Sequence, residues 1–391
     1  MDHLHRRAPD YWLILPVIAL AGLGLVMVYS ASSIVAGQRY GDPAFFLKRQ
    51  VLWVLLGSAA LGVARHIHYP ALRRLTPVLL AAGIGLLVLV LIPGIGRVAG
   101  GARRWITVGG AIAFQPSESF KVILALYLAN FLTHRGPYLD SWRGMLPPVV
   151  VTATAAGLIL LQPDLGTAML LGLLTVTMLF VAGVRLRHLA ALAVPALGLL
   201  ALAIGSAEYR RRRILAFLDP WADAQGAGFH IIQSLLALGS GGVLGVGLGG
   251  SRQKFFYLPE RHTDFIFSIL GEELGLVGTG GVVLLFGLFA LRGYRVARRA
   301  PDRYGSLLAA ALTTMILIQA IINIGVTSGV LPITGVPLPW VSFGGSSMLF
   351  TMIAVGILLN ISQYGRDATA ATGTTPPGAA ASDFAPARGP G

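Results

Sequence analysis

The chain has no cysteine and few charges: 12% of its residues are Asp, Glu, Lys or Arg, with 16 acidic side chains against 30 basic ones. The missing cysteines exclude disulfides, thiolate metal sites and cysteine nucleophiles. The shortage of charge excludes an ordinary soluble enzyme, in which about a quarter of residues are charged. No P-loop and no HExxH zinc motif is present, and Gly245, Gly247 and Gly250 form a G-x-G-x-x-G that no strand precedes, so a dinucleotide site is not expected. The first apolar stretch has no convincing small-residue cleavage site, and it reads as a retained helix rather than a signal peptide.

What is present is apolar. Of the 391 residues, 55% are hydrophobic and the mean hydropathy is +0.74. In hydrocarbon every backbone amide must be paired within its own segment, so long apolar runs read as helices. Ten spans are expected, near 11–31, 50–66, 75–93, 116–133, 146–162, 166–184, 187–206, 264–291, 305–327 and 346–363. The fold class is therefore all-α: a polytopic integral membrane protein with about ten transmembrane helices. Residues 207–263 are too polar to span, and their apolar pieces, Ile231–Leu238 and Val243–Leu248, are too short. They are expected to form one large extracytoplasmic loop with helical or re-entrant parts. Residues 1–10 form the N-terminus, 11–363 the membrane domain, and 364–391 a disordered cytoplasmic tail of Ala, Thr, Pro and Gly.

The net charge of +14 could point to nucleic acid, but basic residues beside spans more often report orientation or anionic lipid, and no nucleic-acid partner is expected. With both termini inside, the short loops carrying Arg65, Arg73, Arg74, Arg185, Arg187, Arg295, Arg298 and Arg299 fall on the cytoplasmic side, as the positive-inside rule asks. Segments 94–115, 207–263 and 328–345 then lie outside. Basic residues there are clustered: Arg97, Arg103 and Arg104 in one loop, Arg210 to Arg213, Arg252, Lys254 and Arg261 in another. A topology rule does not explain such clusters, whereas an anionic ligand would.

Four segments carry candidate chemistry. In residues 93–121, glycines permit tight backbone, Arg103 and Arg104 supply charge, Trp105 supplies an interfacial aromatic, and Glu118 and Lys121 stand three apart on one helical face. The segment reads either as a loop anchor with a structural ion pair or as a contact for pyrophosphate or sugar. Asp164, in the turn LQPDLGTA, reads as a helix cap or as a member of the cavity. Asp264, preceded by His262 and Thr263, stands where the large loop enters the eighth span, either as an N-cap or as a functional acid. Helical spacing would put Asp264, Ser268, Gly271 and Gly275 near one face, leaving space around that acid. Glu272 and Glu273, deeper in the same span, read as a buried structural pair or as functional groups. Ser342, Ser346 and Ser347, in the Pro- and Gly-rich stretch 331–348, could bind sugar hydroxyls or cap the tenth span.

In order along the chain, VMVYSAS (26–32), FFLKRQ (45–50), RRWI (103–106), FQPSE (114–118), QPDLGTA (162–168), LPERHTDFIF (258–267), GEELG (271–275) and VPLPWVSFGGSS (336–347) resemble the SEDS family of shape, elongation, division and sporulation proteins, which includes FtsW, RodA and SpoVE. The resemblance runs from about Asp10 to Asn360, and VMVYSAS and FFLKRQ look more like the FtsW branch, that of cell division. It implies a peptidoglycan glycosyltransferase that polymerises lipid II, releasing undecaprenyl-pyrophosphate from the growing glycan. Its implied setting is the bacterial cytoplasmic membrane at the division septum, beside a class B penicillin-binding protein and other divisome proteins. The family's catalytic Asp in the HTDF motif corresponds to Asp264. Arg103, Arg104, Trp105, Lys121, Glu118, Asp164, His262, Ser342 and Ser346 are the candidate substrate contacts, and a divalent cation, Mg or Mn, is a candidate cofactor bridging phosphate oxygens. Two rival readings are a lipid II flippase and a non-catalytic scaffold that recruits the cross-linking enzyme.

Overall fold

The computed structural model describes residues 8–99, 102–108, 112–134, 141–253 and 262–364. Twelve helices account for most of them: α1 (Ile14–Tyr40), α2 (Phe45–Ala64), α3 (Tyr69–Leu89), α4 (Pro116–His134), α5 (Trp142–Leu160), α6 (Leu165–Val181), α7 (Leu186–Gly205), α8 (Glu208–Leu218), α9 (Phe229–Ser240), α10 (Ile266–Arg299), α11 (Arg303–Thr327) and α12 (Gly345–Ser362). All ten expected spans are helices. Seven helices are long and apolar enough to cross a membrane, and α5 and α6 supply shorter apolar stretches, Gly144–Leu160 and Leu165–Val181. α4 has the length but carries Glu118 and Lys121 in its first turns.

Burial divides the bundle. In the most apolar window of each helix, 78% of α11 and 72% of α12 are buried, against 6% of α7. Helices have no hydrophobic reason to associate in lipid, so packing and hydrogen bonds select the neighbours. α11 is accordingly central, bearing the buried Thr313, Gln319, Asn323 and Thr327, and it packs on α4, α6 and α10. α7 is exposed and apolar beyond Arg187 and His188, and it packs mainly on α6 and α8.

Two features depart from the sequence reading, a sheet within 96–114 and a break in the eighth span, whereas the large loop has the helical parts expected of it. Residues 96–114, expected as a tight loop, include an antiparallel sheet ordered β1 (Gly96–Ala99), β2 (Ala102–Val108), β3 (Ile112–Phe114), with Arg97 opposite Trp105 and Ile106 opposite Phe114. Trp105, Ile106 and Thr107 are aromatic or β-branched residues of the kind that favour strands. The large loop contains α8 and α9, which are too short to span.

The eighth span is also broken. At Gly275 the backbone takes φ 65 and ψ −160, conformations open to glycine. That break would orphan the carbonyls of Glu272 and Glu273 and the amides of Leu276 and Val277. The segment after α9 replaces the missing bonds: Val246 and Gly247 donate to the two carbonyls at 3.0 Å, and Leu276 and Val277 donate to the carbonyls of Gly242 and Val243 at 2.9 and 3.1 Å. Both carboxylates are buried, Glu272 fastening the same segment and Glu273 joining it, through the Ser251 amide, to α1. Glu272 accepts from the Ser251 hydroxyl and the Arg252 amide, and Glu273 accepts from the Ser30 hydroxyl at 2.7 Å. Gly271 and Gly275 lie against the backbone of Gly241 and Gly245. The face expected to leave room around Asp264 is therefore filled by this re-entrant segment.

The tail from residue 365 and the loop arginine Arg261 lie outside the described residues. Tyr364, read as the start of the tail, is buried against His68 and Tyr69.

Candidate active site

Residues 262–265 form the turn before α10, and the helix cap is Phe265, with no side-chain capping bond. Asp264 thus stands one residue outside the helix rather than at its cap. Three other segments fix this turn. From α11, the Asn323 Nδ2 donates to the carbonyls of Asp264 and Val336, both at 2.8 Å. From the stretch before α12, the Ser342 hydroxyl donates to the Thr263 carbonyl at 2.6 Å and accepts from the Leu338 amide at 2.8 Å, while the Phe343 amide donates to the His262 carbonyl at 2.9 Å. From α2, the Phe46 ring lies 4.5 Å from the His262 ring, which also meets Phe343. Gly335, at φ 75, completes the wall: a Cβ there would meet the Asp264 Oδ2 at 3.5 Å.

The arginines of RRWI part company on β2, where the pairing with β1 slips by one residue and leaves Arg104 without a partner across the ladder. Arg103 donates to the Leu91 carbonyl at the end of α3. Arg104 reaches the turn between α5 and α6 instead, donating from Nε to the Gln162 carbonyl at 2.7 Å and from Nη2 to the Pro163 carbonyl. Trp105 is half-buried and pairs with Arg97 across the ladder. In that α5–α6 turn, Asp164 caps α6, accepting from the Thr167 amide at 3.0 Å and from its hydroxyl at 2.9 Å.

The run Arg210–Arg213 resolves into separate tasks. Arg210 donates to the carbonyls of Ala203 and Leu160, tying the ends of α7 and α5, and Arg212 pairs with Glu208 on the surface. Arg213 has no hydrogen bond or ion pair among the described residues. Solvent reaches its side chain, yet protein surrounds it closely enough that desolvation pushes the guanidinium below its ordinary value. Tyr209 and then the carboxylates of Asp264 and Asp164 act against that shift, while Arg104 adds to it. The guanidinium remains cationic. Asp264, Asp164 and Arg104, from three separate segments, thus each lie within electrostatic reach of Arg213.

The other candidates lie in the supporting interior. Glu118 and Lys121 are buried and paired at 2.8 Å, and the Lys121 ammonium also donates to Gln319 at 2.6 Å. This is the ion-pair alternative of the sequence reading. Gln319 then donates to the Ser347 hydroxyl and the Pro337 carbonyl at 3.0 Å each. Ser346 accepts from the Gln115 amide. The cap of α12 is Gly344, with no side-chain bond, so the buried serines bind neighbouring loops and α11 rather than capping this helix.

Arg213, Gln319, Asn323, Phe46 and Gly335 were not singled out in the sequence. Gln319 and Asn323 did leave a signal: two amides one turn apart in an otherwise apolar span. Among the described residues no group of three or more His, Asp or Glu could hold a metal ion. The described donors alone therefore make no protein-only site for a divalent cation.

Three comparisons bear on this arrangement. The model of the FtsW, RodA and SpoVE family, described as cell cycle protein, matches residues 11–367. Stage V sporulation protein E of Bacillus subtilis is 45% identical over 362 residues, 92% of this chain and 99% of that protein. A probable peptidoglycan glycosyltransferase FtsW of Geobacter sulfurreducens is 46% identical over 354 residues, 90% of this chain and 95% of that protein. Among solved structures, a chain of a peptidoglycan synthase complex that coordinates polymerization and crosslinking superposes with a TM-score of 0.76 at 34% identity, covering 91% of this chain and 98% of its own. The rod shape determining protein RodA of Thermus thermophilus gives 0.67 at 32% identity, covering 91% and 97%.

Proposed function

The chain belongs to the FtsW, RodA and SpoVE family of cell cycle proteins, and on that premise we propose that it is a peptidoglycan glycosyltransferase that joins lipid II into glycan strands during cell division. The reading rests on one observation: an acid, Asp264, stands on a turn braced by Asn323 and Ser342, within electrostatic reach of Arg213, which Arg104 and Asp164 also reach. A sugar hydroxyl is a poor nucleophile and a diphosphate is a good leaving group once its charge is met, so a base and a cationic cradle are the two parts required.

In the reaction we assign, the Asp264 carboxylate takes the proton of the acceptor's GlcNAc 4-hydroxyl. That oxygen forms a bond to the anomeric carbon of the donor as the bond to the diphosphate oxygen breaks, with inversion. The leaving undecaprenyl diphosphate departs with the electron pair, and its charge is met by Arg213 and by the N–H groups that Arg104 does not spend on Gln162 and Pro163. The leaving group needs no proton, so a second carboxylic acid of the glycosidase kind is unnecessary. Asp164 holds the turn that Arg104 grips, and the Glu118–Lys121–Gln319 chain braces α4 against α11; both are positioning elements in this scheme. The protein would work at the septum in the cytoplasmic membrane with a class B penicillin-binding protein as cross-linking partner, both termini inside. Purified protein supplied with lipid II should yield glycan polymer. Transport of lipid II across vesicles without polymer would replace this reading with the flippase.

A further inference from the structure

We propose that the end of α10 remote from Asp264 binds the phosphate of an anionic phospholipid headgroup through Arg295, Arg298 and Arg299. These three side chains line a cleft of about 360 Å³. Spaced i, i+3 and i+4, they share one face of the helix. At 1.5 Å per residue they lie roughly 40–50 Å along α10 from the turn that carries Asp264, so the cleft is no part of the candidate active site.

Two observations decide the ligand. The first is that these guanidiniums have no ion pair or hydrogen bond to a described residue. Arg292, one turn earlier, donates to Asp10 at 2.6 Å and is satisfied within the protein. Three like charges around a hollow repel one another, and a phosphate, which a guanidinium fork meets with two hydrogen bonds, relieves them. The second is the face on which they lie. Leu284 and Leu291 are 75% and 72% exposed on a helix apolar enough to span. Residues seven apart on a helix nearly eclipse, so Leu284, Leu291 and Arg298 form one row, and Arg295 follows Leu291 by one turn. The lipid-facing row of α10 therefore runs directly into the arginines, which places them where a lipid's headgroup begins. A positive-inside signal alone needs neither the cleft nor this register.

The test uses delipidated, detergent-purified protein re-supplied with equal amounts of phosphatidylglycerol and phosphatidylcholine, with retained lipid read by mass spectrometry of the intact complex. The wild type should retain phosphatidylglycerol over phosphatidylcholine by roughly a hundredfold if each arginine contributes as a juxtamembrane charge does. The variant R295Q/R298Q/R299Q should lose that preference, R295K/R298K/R299K should keep part of it, and R39Q, which removes a charge elsewhere, should keep all of it. Equal retention of the two lipids by the wild type, or an unchanged preference in the glutamine variant, overturns the proposal. So does displacement of phosphatidylglycerol by millimolar inorganic phosphate, which would mark a site for free anions. Polymerising activity is not part of the readout, so the outcome is independent of the proposed reaction.

Discussion

Asn323→Leu should cripple polymerisation far more than it destabilises the fold. One buried amide nitrogen holds both the Asp264 carbonyl and the Val336 carbonyl at 2.8 Å, and leucine keeps the volume while removing both bonds. Leaving a buried carbonyl unmet costs about 1–3 kcal/mol, so two unmet carbonyls cost roughly 2–6 kcal/mol if the turn stays in place. The turn can escape much of that by moving toward water, and then Asp264 moves with it. A shift of about 1 Å at a reacting group costs on the order of 100-fold in rate. Asn360→Leu is the matched control: Asn360 also makes two buried bonds to backbone, with the Tyr69 amide at 3.0 Å and the Arg65 carbonyl at 2.8 Å, at the α2–α3 turn far from the site. Thermal unfolding of both variants should fall by similar amounts, while polymer formed per folded molecule should drop roughly 10- to 100-fold only for Asn323→Leu. Equal polymerisation rates in the two variants would refute the claim that this amide positions Asp264.

Other outcomes follow from the same geometry. Arg213→Gln should weaken lipid II use by roughly 10- to 150-fold, the range of a charge-assisted phosphate contact, with unchanged thermal stability because Arg213 bonds nothing in the described protein; a destabilised but fully active variant would reassign it as structural. Gly275→Ala should lower the melting temperature, since a side chain there meets the backbone of Val243 and Gly245 within 2.6 Å; an unchanged melting temperature would remove the break in α10 from the account of that segment. A cysteine introduced at Gln225 should label from outside intact cells and one at Arg298 should not, and the reverse pattern would put the site in the wrong compartment.

How much of this was legible beforehand depends on which physics carried it. The helices at the ten expected spans were, seven of them long and apolar enough to cross a membrane, because in hydrocarbon a long apolar run has only one way to satisfy its backbone. The sheet at 96–114 was missed because glycines around RRWIT were read as loop when they equally flank a ribbon. The slip in the β1–β2 register at Arg104, and the different carbonyls the two side chains reach, separate Arg103 from Arg104, which adjacency in sequence joins. The break at Gly275 could not be read either: a glycine inside a helix is silent about φ until a partner segment, here Gly242 to Gly247, offers replacement hydrogen bonds. In the run Arg210 to Arg213 four identical residues could not be ranked, and only the packing of α8 gives Arg210 to helix ends and Arg213 to the site. Asp264 was legible as an acid, but its bracing by Asn323 and Ser342 joins residues 59 and 79 positions apart.

The most direct test of the central claim is the rate of glycan polymerisation by Asp264→Asn with purified lipid II, in the presence of a cross-linking partner made inactive for transpeptidation. Asparagine keeps the shape of the side chain and the backbone carbonyl that Asn323 holds, and removes only the base. With lipid II binding retained, polymerisation should fall by about 10²- to 10⁴-fold, the loss typical of general-base removal. Glycan strands formed at the wild-type rate and length would contradict the assignment of Asp264 as the base.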